Sequence, residues 1–172
     1  MEIFIETPRL LIREIVPEDE GGIFELDSDK EVHRYLGNDP LTDIAQAGKA
    51  IAFIRRQYID NGIGRWAMVE KATGEFMGWT GLKLETGTIN GHTRFYDLGY
   101  RLIRRHWGNG YATEAAKACL HYGFEQMNLT TIYGRADAEN IASRQVLLKC
   151  GLQYTGNFIE DGILTDWFCI HR

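Results

Sequence analysis

The chain has 172 residues, 44% of them hydrophobic and 25% charged, which is the size and composition of one soluble globular domain. A formal net charge of -5 with Lys and Arg scattered along the chain argues against a nucleic-acid-binding surface and slightly favours a cationic partner. No apolar run approaches the roughly 18 residues of a membrane span, and MEIFIETPRLLIREI at the start lacks a basic segment, apolar core and cleavage site, so no membrane association and a cytoplasmic location are expected. Cys119, Cys150 and Cys169 are odd in number, with no CxxC. They read as core thiols rather than as a disulfide framework or zinc site. The five histidines show no HExxH or similar spacing, and no metal is expected.

In chain order, IETPRLLIREI reads as one strand with Pro8 near its start, Leu10 and Ile12 on one face, and Leu11, Arg13 and Ile15 on the other. VPEDEGGIFEL places Pro17 and acids ahead of Ile23, Phe24 and Leu26, a helix start that Gly21 and Gly22 weaken. LTDIAQAGKAIAFIRRQYIDNG follows with helical spacing, Thr42 or Asp43 as cap and Asn61-Gly62 as stop. A β-hairpin is predicted over Trp66 to Glu70 and Phe76 to Leu84, where Gly78 and Gly81 suggest a bulge or a close backbone approach.

After a polar turn, TGTINGHT, comes the strand RFYDLGYRLI, then RRHWGNGYATEA and a helix from about Tyr111 to Met127 that Asn128 ends. TTIYGRADA reads as a strand, Ile141 to Lys149 as a short helix stopped by Cys150-Gly151, and LQYTGNFI and LTDWFCIHR as strands around Glu160-Asp161-Gly162. Neighbouring strands followed by β-α-β-α-β describe an α/β (α+β) single domain, residues 1–172, with a mixed sheet and helices on both faces.

A strand running straight into a helix leaves the first helical N–H groups without partners, and the helix dipole adds positive character there. In RRHWGNGYATEA, Gly108 and Gly110 let those donors converge, and Arg104 and Arg105 add charged donors suited to a phosphate. The turn alone also fits a tight strand-to-helix connection with solvated arginines. GxxxxGK[ST] fails for want of Lys after Gly110, and GxGxxG fails at Thr113.

The pattern Arg105-x-x-Gly108-x-Gly110 resembles the acetyl-CoA pyrophosphate loop of the GCN5-related N-acetyltransferases. TPRLLIRE, GYRLIRRHWGNGYATEA and ADAENIASRQVLLKCGL resemble, in order and spacing, the branch that includes the ribosomal-protein N-acetyltransferases RimJ and RimL. The resemblance implies a mostly antiparallel sheet with a splayed central parallel pair. Acetyl-CoA is the implied co-substrate. Its pantetheine would bond the backbone near Leu102 and Ile103, one N–H there serving the oxyanion, and its pyrophosphate would take the loop Arg105, His106, Trp107, Gly108, Asn109, Gly110, Tyr111 and Ala112. Arg104, Arg105 or Lys149 would reach the 3′-phosphate.

Asn140 matches the family's pantetheine contact, or is simply a helix N-cap. Ser143 matches the acid that protonates the leaving thiolate, with solvent as the alternative, because the Tyr that many relatives carry is Leu147 here. For the base the resemblance points first to Asp97, then to Glu160 and Asp161, unless these are surface acids; an amine of low pKa needs no dedicated base. The implied activity is acetyl transfer to a primary amine by direct attack, the acceptor being a protein α-amine, classically ribosomal, or a small amine such as a polyamine or antibiotic. A non-catalytic acyl-CoA sensor is the rival reading. Strands at the C-terminus are candidates for pairing in a homodimer.

Overall fold

The computed structural model describes residues 3–172. Its strands are β1 (Ile3–Glu6), β2 (Leu10–Arg13), β3 (Trp66–Glu70), β4 (Phe76–Ile89), β5 (His92–Leu102), β6 (Thr131–Asp137), β7 (Gln153–Glu160) and β8 (Ile163–His171). Its helices are α1 (Glu20–Ser28), α2 (Lys30–His33), α3 (Ile44–Asn61), α4 (Tyr111–Glu125) and α5 (Ile141–Lys149).

Three expectations change. The single opening strand is a hairpin, because Pro8 has no N–H to give a ladder, while Thr7 closes a turn on Leu10: its N–H reaches the Leu10 carbonyl (2.9 Å) and its Oγ1 accepts from the Leu10 N–H (2.9 Å). The polar stretch TGTINGHT is mostly strand. β4 and β5 continue through it to a two-residue turn at Asn90 and Gly91, whose φ values of 49° and 76° suit a hairpin's right-handed twist. The helix over Tyr111 ends at Glu125, two residues early.

All eight strands form one sheet in the order β1-β2-β3-β4-β5-β6-β8-β7. Every neighbouring pair is antiparallel except β5 and β6. That parallel pair holds register only at Asp97↔Tyr133 and Leu98↔Gly134. Beyond them β5 stays with β4 to Leu102 and β6 stays with β8 to Asp137, so the sheet opens as a wedge.

Helices cover both faces. On one, α4 and α5 pack on a core that includes Leu98, Leu102, Ala116, Cys119, Leu147 and Phe168. Trp66 anchors this side, stacked on Phe4 (ring centroids 4.8 Å apart) and edge-on to Tyr122 (5.1 Å); burying a side chain of that size contributes on the order of 3 kcal/mol. On the other face Ala47 and Ile51 of α3 and Ile23 of α1 meet Ala67 and Val69. α3 begins with a capping box in which the Asp43 side chain accepts from the Ala45 N–H (2.8 Å) and Gln46 Oε1 accepts from the Asp43 N–H (3.0 Å). Among the described residues no helix is long and apolar enough to cross a membrane.

Candidate active site

The wedge has two arms. The first is the end of β5 and the loop behind it, a short 3-10 turn at Arg104–His106 followed by Trp107 to Gly110. The Ile103 N–H donates to the Met77 carbonyl (2.9 Å) and the Ile103 carbonyl accepts from the His106 N–H (2.9 Å). Ile103 therefore faces β4, and strand alternation turns the backbone groups of Leu102 and Tyr100 toward the wedge. The Leu102 carbonyl already accepts from the Trp107 indole (2.9 Å). Of the two residues expected to pair with pantetheine, only Leu102 keeps its N–H on the open side.

Gly110 is the N-cap of α4, with φ 80° and ψ 5°, and supplies no side-chain cap. The first intrahelical bond runs from the Glu114 N–H to the Gly110 carbonyl (3.0 Å). The N–H groups of Tyr111, Ala112 and Thr113 lie ahead of it, at the positive end of a 15-residue helix. The loop is braced from within, since the Asn109 amide donates to the His106 and Trp107 carbonyls (3.3 and 3.1 Å).

The arginines are committed, not merely solvated. Arg104 pairs with Asp29 (3.2 Å), Arg105 with both Glu25 and Glu75, and His106 Nε2 lies 3.7 Å from Glu75. Arg104 and Arg105 can reach a 3′-phosphate only by leaving these exposed pairs, which cost little to break. Lys149 is exposed in the last turn of α5, beside the first turn of α4, where Cys150 Sγ is 3.8 Å from the Thr113 carbonyl.

The second arm is the start of α5. Asn140 is its N-cap, accepting from the Ser143 N–H (3.2 Å). Tyr100 Oη crosses from β5 to this arm, donating to the Ser143 carbonyl (2.8 Å) and lying 3.1 Å from Ser143 Oγ. Burial pushes the Tyr100 phenol far above its ordinary value, against the hydrogen bond with Ser143. It keeps its proton at any physiological pH. Leu147 is buried in the core and packs over Gly134.

Asp97 and Glu160 meet on the opposite face of β5 and β6. Asp97 is 3% exposed and bound to Arg65, whose guanidinium donates to Asp97 Oδ2 (2.6 Å), to the Asp97 carbonyl (2.8 Å) and to the Gly81 carbonyl (2.6 Å). Gly99 makes room for it, since a Cβ there would lie 2.5 Å from Arg65 Cζ. Arg135 collects three carboxylates, Glu85 (2.7 Å), Glu160 (2.7 Å) and Asp97 (3.7 Å). Burial works to lower the Arg135 pKa, but the three acids outweigh it and raise it. Glu160 goes the other way: burial raises its pKa, and Asp97, Asp161 and Glu85 add to that against the pull of Arg135. At the far end Arg101 pairs with Asp27 (2.7 Å) beside His33, and both Arg101 and Arg65 lie over Trp79, 4.8 and 5.2 Å from its ring centroid.

A splayed parallel pair, an uncapped helix start at one arm and an Asn-capped helix at the other form a site for an extended, phosphate-bearing ligand. The family model described as "Acetyltransferase (GNAT) domain" matches residues 9–153. The chain belongs to the GNAT acetyltransferases. It is an enzyme of that family, with acetyl-CoA as acyl donor. Among curated relatives, the uncharacterized N-acetyltransferase p20 of Bacillus licheniformis is 31% identical over 161 residues, 94% of this chain and 85% of its own. Two solved structures share the fold. Spermidine N-acetyltransferase from Vibrio cholerae, in complex with CoA and spermine, superposes with a TM-score of 0.78 at 19% identity over 96% of both chains. The ribosomal-protein-S5-alanine acetyltransferase from Vibrio fischeri gives 0.78 at 15% identity, over 99% of this chain and 97% of that one.

Three residues of the candidate site, Tyr100, Arg65 and Arg135, carry no local signal in the sequence. Tyr100 and Arg65 reach their partners across 43 and 32 residues of chain, separations at which no local pattern speaks. Arg135 was hidden inside a strand, where alternation alone placed it with Asp97 on one face once β5 and β6 were known to pair.

Proposed function

We propose that the enzyme transfers the acetyl group of acetyl-CoA to the α-amine at the N-terminus of a protein, as in the RimJ/RimL branch. The observation that carries the donor half is the uncapped start of α4 at Gly110, opposite the splay of β5 from β6. The pyrophosphate takes the N–H groups of Gly110 to Thr113, the pantetheine lies along Leu102 and Tyr100, and Asn140 binds it from the other arm.

For the acceptor, the deciding feature is charge balance. Asp97, Glu85, Glu160 and Asp27 are matched four to four by Arg65, Lys83, Arg135 and Arg101, so these acids offer no surplus of carboxylate to a polyamine with several ammonium groups. An α-amine titrates at about 7.7–8.0 and is partly neutral at physiological pH without a strong base. The amine attacks the thioester carbon, the C–S bond breaks, and the proton of the new amide nitrogen leaves through Glu160. Of the two acids, Glu160 is the better acceptor, because Asp97 is buried and its Oδ2 is already occupied by the Arg65 guanidinium. Ser143 Oγ, kept in place by Tyr100, relays a proton to the departing thiolate and recovers one from solvent. An acceptor of this kind places the enzyme in the cytoplasm, and β7, an open sheet edge with Tyr154 and Ile159 exposed, is the surface assigned to a homodimer.

The test is free-thiol release from acetyl-CoA across N-terminal peptides, polyamines and aminoglycosides. Turnover with peptides alone supports the reading; turnover with spermidine alone overturns the acceptor assignment and leaves the donor half standing. Ser143→Ala is expected to lower kcat about 100-fold, the scale of a general acid, with acetyl-CoA affinity unchanged. Tyr100→Phe should lower kcat about tenfold, because Ser143 loses its fixed orientation. Glu160 acts as a base only when deprotonated, so kcat/KM rises with pH through its elevated pKa and again as the α-amine deprotonates. In Glu160→Gln the lower of those two limbs should vanish from the pH profile.

A further inference from the structure

TPRLL at the start of the chain contributes a side chain that the donor site does not itself use. Arg9 stands in the turn between β1 and β2 and lies across the loop from outside. Its Nη1 donates to the Asn109 carbonyl (2.9 Å), its Nε to Glu114 Oε2 (2.6 Å), and its backbone N–H to Glu114 Oε1 (3.1 Å). Its guanidinium covers the Tyr111 ring at 4.2 Å from the centroid. Thr7 Oγ1 donates to the same Glu114 oxygen (2.6 Å). Burial works to raise the Glu114 carboxyl, but the hydrogen bonds from Thr7 and Arg9 outweigh it and hold it below its ordinary value.

A peptide's C=O and the following N–H point in opposite directions across a trans bond. The Asn109 carbonyl is drawn to Arg9, so the Gly110 N–H points away from Arg9 and is free to join the orphan donors of α4. Nothing intrinsic holds it there, since a glycine follows the bond and φ > 0 costs glycine nothing.

We propose that Arg9 is a positioning residue for acetyl-CoA: held by Glu114, it fixes the Asn109–Gly110 peptide with its N–H toward the pyrophosphate. This rests on the loop reading above and adds to it a residue about 100 positions away in the sequence. Without Arg9 the peptide flips freely and the donor must be ordered when the ligand arrives.

Titration calorimetry with CoA on the full chain, as wild type, Arg9→Ala, Gly110→Ala and the double variant, tests it. Arg9→Ala should raise the CoA Kd about tenfold. Gly110→Ala, which strains the same peptide, should raise it at least as much. The double variant should be no worse than Gly110→Ala alone, because both act on one group. A Kd for Arg9→Ala within twofold of wild type, or two losses that multiply, overturns the proposal. A lowered melting temperature of the free protein with CoA affinity intact overturns it too, since that is the signature of a merely structural arginine. If Arg9→Ala does not fold, Glu114→Gln keeps the shape, removes the charge that holds Arg9, and should show a smaller loss that is likewise non-additive with Gly110→Ala. Should Gly110→Ala bind CoA as wild type does, the loop reading itself fails, an outcome distinct from failure at Arg9 alone.

Discussion

Replacing Gly110 by Asp is expected to weaken CoA binding by about 100-fold while leaving the free protein folded. Two costs add. Gly110 sits at φ 80°, where an L-residue loses roughly 1–2 kcal/mol, and an Asp carboxylate there stands where the diphosphate must come, competing for the same N–H groups of α4. The free loop relaxes from the first cost and must take it up again to bind, so together they amount to about 3 kcal/mol, or two decades in Kd. The fold should tolerate the change: only Arg9 Nη2 lies near a Cβ at Gly110, at 3.5 Å, and Asp is itself a favoured N-cap that satisfies orphan donors when no ligand does. Calorimetry with CoA alongside a melting curve separates the two effects. Unchanged affinity in a folded variant would remove the loop from the donor site.

The candidate donor loop was legible in the sequence because its parts are local. Gly108, Gly110 and the helix behind them lie within a dozen residues, and a strand running straight into a helix leaves the first helical N–H groups without partners. The helix over Ile141 to Lys149, with Asn140 ahead of it, was likewise readable from a cap and a Gly stop. The acceptor face was not. Asp97 read as a candidate base or a surface acid on a strand, but it is buried against Arg65, which reaches it only because β3 and β5 flank β4 and Gly99 leaves space for a guanidinium. The same holds for Arg104 and Arg105, basic in sequence but neutralised by Glu25 of α1, Asp29 at the N-cap of α2 and Glu75 of the β3–β4 turn. The opening hairpin was misread for a different reason: Pro8 is compatible both with the start of a strand and with a turn, and the hydrogen bonds of Thr7 decide for the turn.

Gly78→Ala is expected to damage the protein more than any substitution in the loop, although Gly78 lies on β4, outside the loop. Its φ is 146°, and a Cβ there would run into the Arg101 carbonyl and lie 2.9 Å from Leu102 Cα. Both obstacles are backbone, so no side chain can swing aside. Gly78 pairs with Leu102, and the adjacent Met77 carbonyl holds the Ile103 N–H. To admit a methyl, β4 and β5 must part where the chain leaves the sheet for the loop, and that bond is the first lost. The ladder between β3 and β4 already slips its register opposite this point, between Met68 and Val69, so the strand is bent to suit a residue without a side chain. Conformational strain and backbone collision together should exceed about 3 kcal/mol, the range reserved for specific structural breaks, which in a domain of this size is a fall of about 6–12 °C in Tm. Gly74→Ala is the matched control: φ is 74° and nothing lies within 4 Å of the added Cβ, so only the roughly 1–2 kcal/mol of backbone strain applies. Equal melting points for the two variants would mean that the β4–β5 contact yields, and that the end of β5 is not what sets the position of the loop. A large gap between them, with CoA affinity falling in whatever Gly78→Ala protein stays folded, would tie the donor site to a glycine on a neighbouring strand.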